Sequence, residues 1–144
     1  MQVNDTVKLL RECDAGSKMA VSSIDDIIDK ISSERLRERV SYNKQQHSKI
    51  GNEIHSILSA YDIEDKEPTP IAKGMSWLKT NVKLGVDNSD STVADLLTDG
   101  CNMGVKSLSR YLNQYKAADT NSKQICRNLI DLEQSLADDV REFL

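Results

Sequence analysis

Two apolar seams at heptad spacing open the chain, and both turn polar at the same height. The first runs through Val3, Val7, Leu10, Asp14, Ser17, Val21, Ile24, Ile28 and Ile31. The second runs through Leu36, Val40, Asn43, His47, Ile50, Ile54, Ile57 and Tyr61. Residues three and four apart share one helix face, so each seam predicts a long helix with a buried stripe. Folding back about Ser32 and Ser33 brings Asp14 and Ser17 beside His47 and Gly51. The polar interruptions then meet inside one bundle, where helical bundles build their metal and cofactor sites.

The rest of the chain continues the pattern. Helices are predicted over about 5–31, 33–61, 70–84, 92–116 and 121–143, within a single domain covering residues 1–144. Asn4 or Asp5 suits the first N-cap and Ser32 or Ser33 the second. The acidic stretch YDIEDKEPTP holds both prolines, and Thr69 with Pro70 matches an N-cap followed by proline at the first helical position. A short helix should follow, with Ile71, Met75, Leu78 and Val82 on one face. The third long helix is expected after Ser91 or Thr92, and the last after a break at Ala118–Thr120, with Asn121 and Gln124 as capping residues. No alternating strand pattern or hairpin signal occurs, so the fold class is all-α. Two tight hairpins joined by a long crossover give an antiparallel up-down-down-up four-helix bundle, because so long a connection can return along the bundle.

Cys13, Gly16 and Lys18 recur in the same spacing as Cys101, Gly104 and Lys106, and the same shift lays Asp14 on Asn102 and Ile24 on Leu112. Two equivalent hairpins explain this repeat. Gly16 and Gly104, costly in mid-helix, are expected to permit a close helix crossing. With paired hairpins, a long crossover and a mid-height polar layer, the chain resembles the ferritin-like superfamily. It is most similar to small bacterial ferritin-like bundle proteins of unknown function, especially over MSWLKTNVKLGVDNSDSTVADLLTDGCNMGVKSLSRYLNQY, residues 75 to 115.

The resemblance implies a metal site built from a Glu on each of two helices and an E-x-x-H pair on each of the others. This chain departs from that pattern. It offers Asp14 on the first helix, Asn43 and His47 on the second, and Asn102 and Asp99 on the third; the fourth has no histidine and reads as apolar. The candidate ligands for a divalent metal are therefore Asp14, His47 and Asp99, with Ser17, Asn43 and Asn102 completing a polar core layer. In the plainer reading, His47 is a core histidine bonded to Asp14 or Ser17 and fixes helix register.

Composition narrows the functions. Three cysteines with no C-x-x-C pair read as reduced core residues. A net charge of −4 with scattered basic residues excludes a nucleic-acid partner. No apolar run spans a membrane and no signal peptide opens the chain, so a cytoplasmic location is expected. No phosphate loop, nucleophile elbow or H-E-x-x-H motif occurs, which disfavours an enzyme. The expected role is non-catalytic, through self-association as a homo-oligomer, a dimer, or through a protein partner. The alternative is a divalent-metal-binding or redox protein using Asp14 and His47.

Overall fold

The structure, a computed structural model, describes residues 4–61 and 89–144; Val3 and the crossover helix expected over 70–84 lie outside the described residues. Among the described residues there are four α-helices and no strand: α1 (Asp5–Ile27), α2 (Glu34–Ala60), α3 (Asp90–Gln114) and α4 (Thr120–Val140). Short 3₁₀ turns follow α1 at Ile28–Lys30 and α4 at Arg141–Phe143.

Each helix starts where a side-chain oxygen satisfies a free backbone N–H of the first turn. Asn4 accepts from the Val7 amide at 3.0 Å and Ser33 from Leu36 at 3.2 Å. Ser89 accepts from Thr92 at 3.2 Å and Asp119 from Ser122 at 2.8 Å. The third helix thus begins just before the Ser91 or Thr92 expected from sequence, because Ser89 does the capping and Thr92 lies in the first turn. Asp119 likewise takes the role assigned to Asn121. The first helix stops at Ile27 and tightens, the Ile31 amide donating to the Ile28 carbonyl.

Contacts at the two ends fix the helix directions. The Asp90 carboxylate accepts from the Ser32 and Ser33 amides at 2.8 and 2.9 Å, tying the α1–α2 turn to the start of α3. At the opposite end Asp5 accepts from the Ala117 amide and Thr6 from the Asp119 amide, tying the start of α1 to the α3–α4 turn. The beginning of α2 also holds the end of α4. Arg39 donates to the Asp139 carbonyl at 2.9 Å, Arg35 and Arg39 both pair with Glu142, and both guanidinium groups lie over the Phe143 ring. Helices α1 and α4 each pack on all three others.

The core is two apolar clusters, not one. Val7, Leu10, Ile54, Leu58, Ile125 and Leu129 lead the cluster at the α3–α4 turn. Ile24, Ile27, Leu36, Val40, Leu97 and Val140 lead the one at the α1–α2 turn. Burial of apolar side chains at about 25 cal/mol per Å² supplies the driving force at both ends. Between them lie the polar residues at which the seams are interrupted.

Candidate functional site

His47 stands at the centre of this middle layer, only 1% exposed. Its Nδ1 lies 3.0 Å from the Asn43 carbonyl oxygen one turn back, and its Nε2 lies 2.9 Å from Oε1 of Glu133 on α4. Both neighbours are acceptors: a carbonyl has no proton to give, and an ionised carboxylate has none. Nδ1 therefore carries a proton, and a second proton lies between Nε2 and Glu133. The Asn43 side chain adds a parallel link, its Nδ2 donating to the Leu132 carbonyl at 3.0 Å. Two adjacent residues of α4 are thus bonded to residues one turn apart on α2.

Glu133 was not anticipated from sequence; its presence corrects the reading of the fourth helix as apolar. It lies beside the seam formed by Ile125, Leu129, Leu132, Leu136 and Val140, and its long side chain reaches inward from that flank to 12% exposure. Gly104 makes the reach possible. A Cβ at Gly104 would stand 3.0 Å from Glu133 Oε2 and 3.1 Å from its Cδ. This glycine accommodates a carboxylate, where a close helix crossing was expected. The equivalent Gly16 is different: a Cβ there would meet only Leu108, at an ordinary 3.8 Å.

Glu133 also acts on Cys101. Burial pushes the Cys101 thiol above its ordinary range, and the negative charge of Glu133 and the hydrogen bond between them push it further. A thiol so placed stays protonated and is a poor nucleophile. Cys13, Cys101 and Cys126 are all free and buried. Cys13 is raised by hydrogen bonding to Cys126 and then by burial, while Cys126 is lowered by the same bond.

The remaining candidates divide. Asp14 and His47 line one polar cavity of about 410 Å³ between α1 and α2, together with Ser17, Asp25, Gly51 and His55. The expected juxtaposition of Asp14 and Ser17 with His47 and Gly51 is therefore present; a Cβ on Gly51 would lie 3.0 Å from Ser17 Oγ. The bonding differs from that expected. Asp14 pairs with Lys18 at 2.8 Å, Ser17 donates to the Asp14 carbonyl at 3.0 Å, and His47 turns to α4. Ser17 and Asn43 are buried. Asn102 is exposed and does not join the core layer, because it follows Cys101 around the helix toward solvent. Asp99 is also exposed, and it lies outside the cavity that Asp14 and His47 share. Among the described residues, no three His, Cys, Asp or Glu side chains form a group able to hold a metal ion. None of the described helices is long and apolar enough to cross a membrane.

Comparison with protein-family models, with curated proteins and with solved structures finds no match. The functional reading rests on the side chains themselves.

Proposed function

We propose that this chain is a ferritin-like, up-down-down-up helical bundle that acts without catalysis, by associating with a second copy of itself or with a protein partner. The end contacts support the topology: α2 and α3 begin at one end of the bundle, α1 and α4 at the other. The observation that carries the non-catalytic reading is the engagement of the middle layer with itself. Both ring nitrogens of His47 face protein acceptors and the Asp14 carboxylate holds Lys18. Groups so engaged fix helix register, as buried polar residues do in coiled coils. Tyr42 and Met103, 60% and 40% exposed, supply apolar surface for association. Sedimentation equilibrium over a wide concentration range should show a dimer that dissociates on dilution. A strict monomer throughout, with nothing retained by the immobilised chain, would remove this reading.

One observation favours a second reading. Asp14 and His47 line the same cavity, and a carboxylate with an imidazole is a partial ligand set for a divalent ion completed by water. Elemental analysis of protein purified without chelator, beside His47→Ala, decides it. Stoichiometric metal lost in the variant establishes a site there, and metal-free protein in both samples eliminates it.

A further inference from the structure

Cys13 on α1 and Cys126 on α4 take no part in the middle layer. Both are fully buried and belong to the apolar cluster at the α3–α4 turn, among Leu9, Leu10, Ile125 and Leu129. Their thiols are hydrogen-bonded to each other across the helix interface, and Cys126 donates to the Leu108 carbonyl at 3.6 Å. Two sulfurs in contact inside a hydrocarbon core are soft donors already brought together.

The surroundings decide which ion such a pair would take. Among the described residues no third His, Cys, Asp or Glu completes a metal-holding group with them, and close-packed apolar walls leave little room for water. Zinc, which takes four ligands in a structural site, would be left short. Copper(I) is soft, favours thiolates and is satisfied by two of them in a near-linear arrangement. Two S–H bonds break as two Cu–S bonds form, both protons go to solvent, and the copper stays monovalent, so no oxidant or reductant is needed. The product carries one negative charge. Arg127, next along α4, favours it by drawing the Cys126 thiol down, while Glu12 and Asp14 on either side of Cys13 oppose it.

We infer that Cys13 and Cys126 form a two-coordinate copper(I) site that bridges α1 and α4 inside the bundle. The site is independent of the cavity beside His47 and of self-association.

Copper(I), supplied anaerobically as its acetonitrile complex to the reduced full chain, tests it. The chain is loaded in two ways, by long incubation of the folded protein and during refolding from denaturant, because a buried pair is reached only as the bundle opens. After desalting, elemental analysis should find one copper per chain in the wild type, in Cys101→Ala and in His47→Ala, and none in Cys13→Ala or Cys126→Ala. Circular dichroism checks that each variant is folded. Should Cys13→Ala and Cys126→Ala fail to fold, X-ray absorption of copper-loaded Cys101→Ala decides: the metal should have two sulfur neighbours and no nitrogen or oxygen. Stoichiometric copper in folded Cys13→Ala or Cys126→Ala, its loss in Cys101→Ala or His47→Ala, a nitrogen or oxygen ligand, or copper-free wild type after both loadings would each overturn the inference.

Discussion

Replacing His47 with alanine is the perturbation whose size follows most directly from the structure. The imidazole is 1% exposed, so its removal leaves a cavity, and large-to-alanine changes in cores cost about 2–5 kcal/mol. It also strips Glu133 of the group facing Oε1. Breaking a buried pair by deleting one member costs about 3–5 kcal/mol, because the survivor stays desolvated. The two costs overlap, and Glu133 borders a small opening between α1 and α3, through which water can reach it. A loss of about 3 kcal/mol results, or about 10 °C in Tm for a chain of this length. Glu133→Ala should cost about 2–3 kcal/mol, with the imidazole left facing the void. If the pair acts as a unit, the double variant will be less destabilised than the sum of the two singles by more than 1 kcal/mol. Urea unfolding of the four proteins supplies the cycle. Additive losses, with a coupling below about 0.3 kcal/mol, would refute the claim that His47 and Glu133 tie α2 to α4.

Other regions of the bundle give sharper contrasts at lower cost. Gly16→Ala should stabilise by up to about 1 kcal/mol, since its Cβ finds ordinary space, whereas Gly104→Ala should destabilise because its Cβ displaces Glu133; thermal melts compare them directly. Asp90→Ala removes two charge-assisted bonds to the α1–α2 turn and should cost about 2 kcal/mol in chemical denaturation. Cys101 is raised in the folded state, so it contributes stability fully present below the ordinary thiol value of 9.0 and lost as pH climbs above it toward the folded value. Wild-type stability should therefore fall by up to about 1.4 kcal/mol per pH unit on this thiol's account above pH 9, and Cys101→Ala should flatten that fall. The three buried thiols should react with a disulfide reagent only as fast as the native state opens, and all should react at once in denaturant.

Much of this organisation is legible in the sequence because it depends on periodicity. Leu10, Ile24, Leu36 and Val40 recur at helical spacing and all fall in the core. The breaks at Asp14, Ser17, Asn43 and His47 mark the level at which the apolar core divides into two. A seam reading registers the residue on the stripe and is blind to a long side chain that reaches in from its flank. A flanking residue such as Glu133 is therefore not visible on the stripe, although a glycine on the neighbouring helix of the same hairpin, Gly104, is the sign that something large needs room. Extending the internal repeat to chemistry also misled. Asn102 corresponds to Asp14 by spacing, yet Asp14 is buried and Asn102 faces solvent. A shared backbone scaffold preserves helix positions without preserving which side chains turn inward. The start of α3 was misjudged because Ser89, Ser91 and Thr92 are all competent caps, and the choice fell to Ser89 through tertiary contacts that spacing does not show.

The proton on His47 Nδ1 provides the most direct test, because the Asn43 carbonyl can only accept and the Nε2 side is taken by Glu133. Long-range proton–nitrogen correlation spectra of imidazole-labelled protein at neutral pH should show Nδ1 protonated. Its proton should exchange slowly with water, and the ring should give nuclear Overhauser contacts to the side chain of Glu133 on α4. The exposed His55 ring serves as the solvent-facing comparison in the same spectrum. A His47 ring that exchanges as fast as His55, or one protonated at Nε2 alone, would contradict a middle layer locked by its own hydrogen bonds.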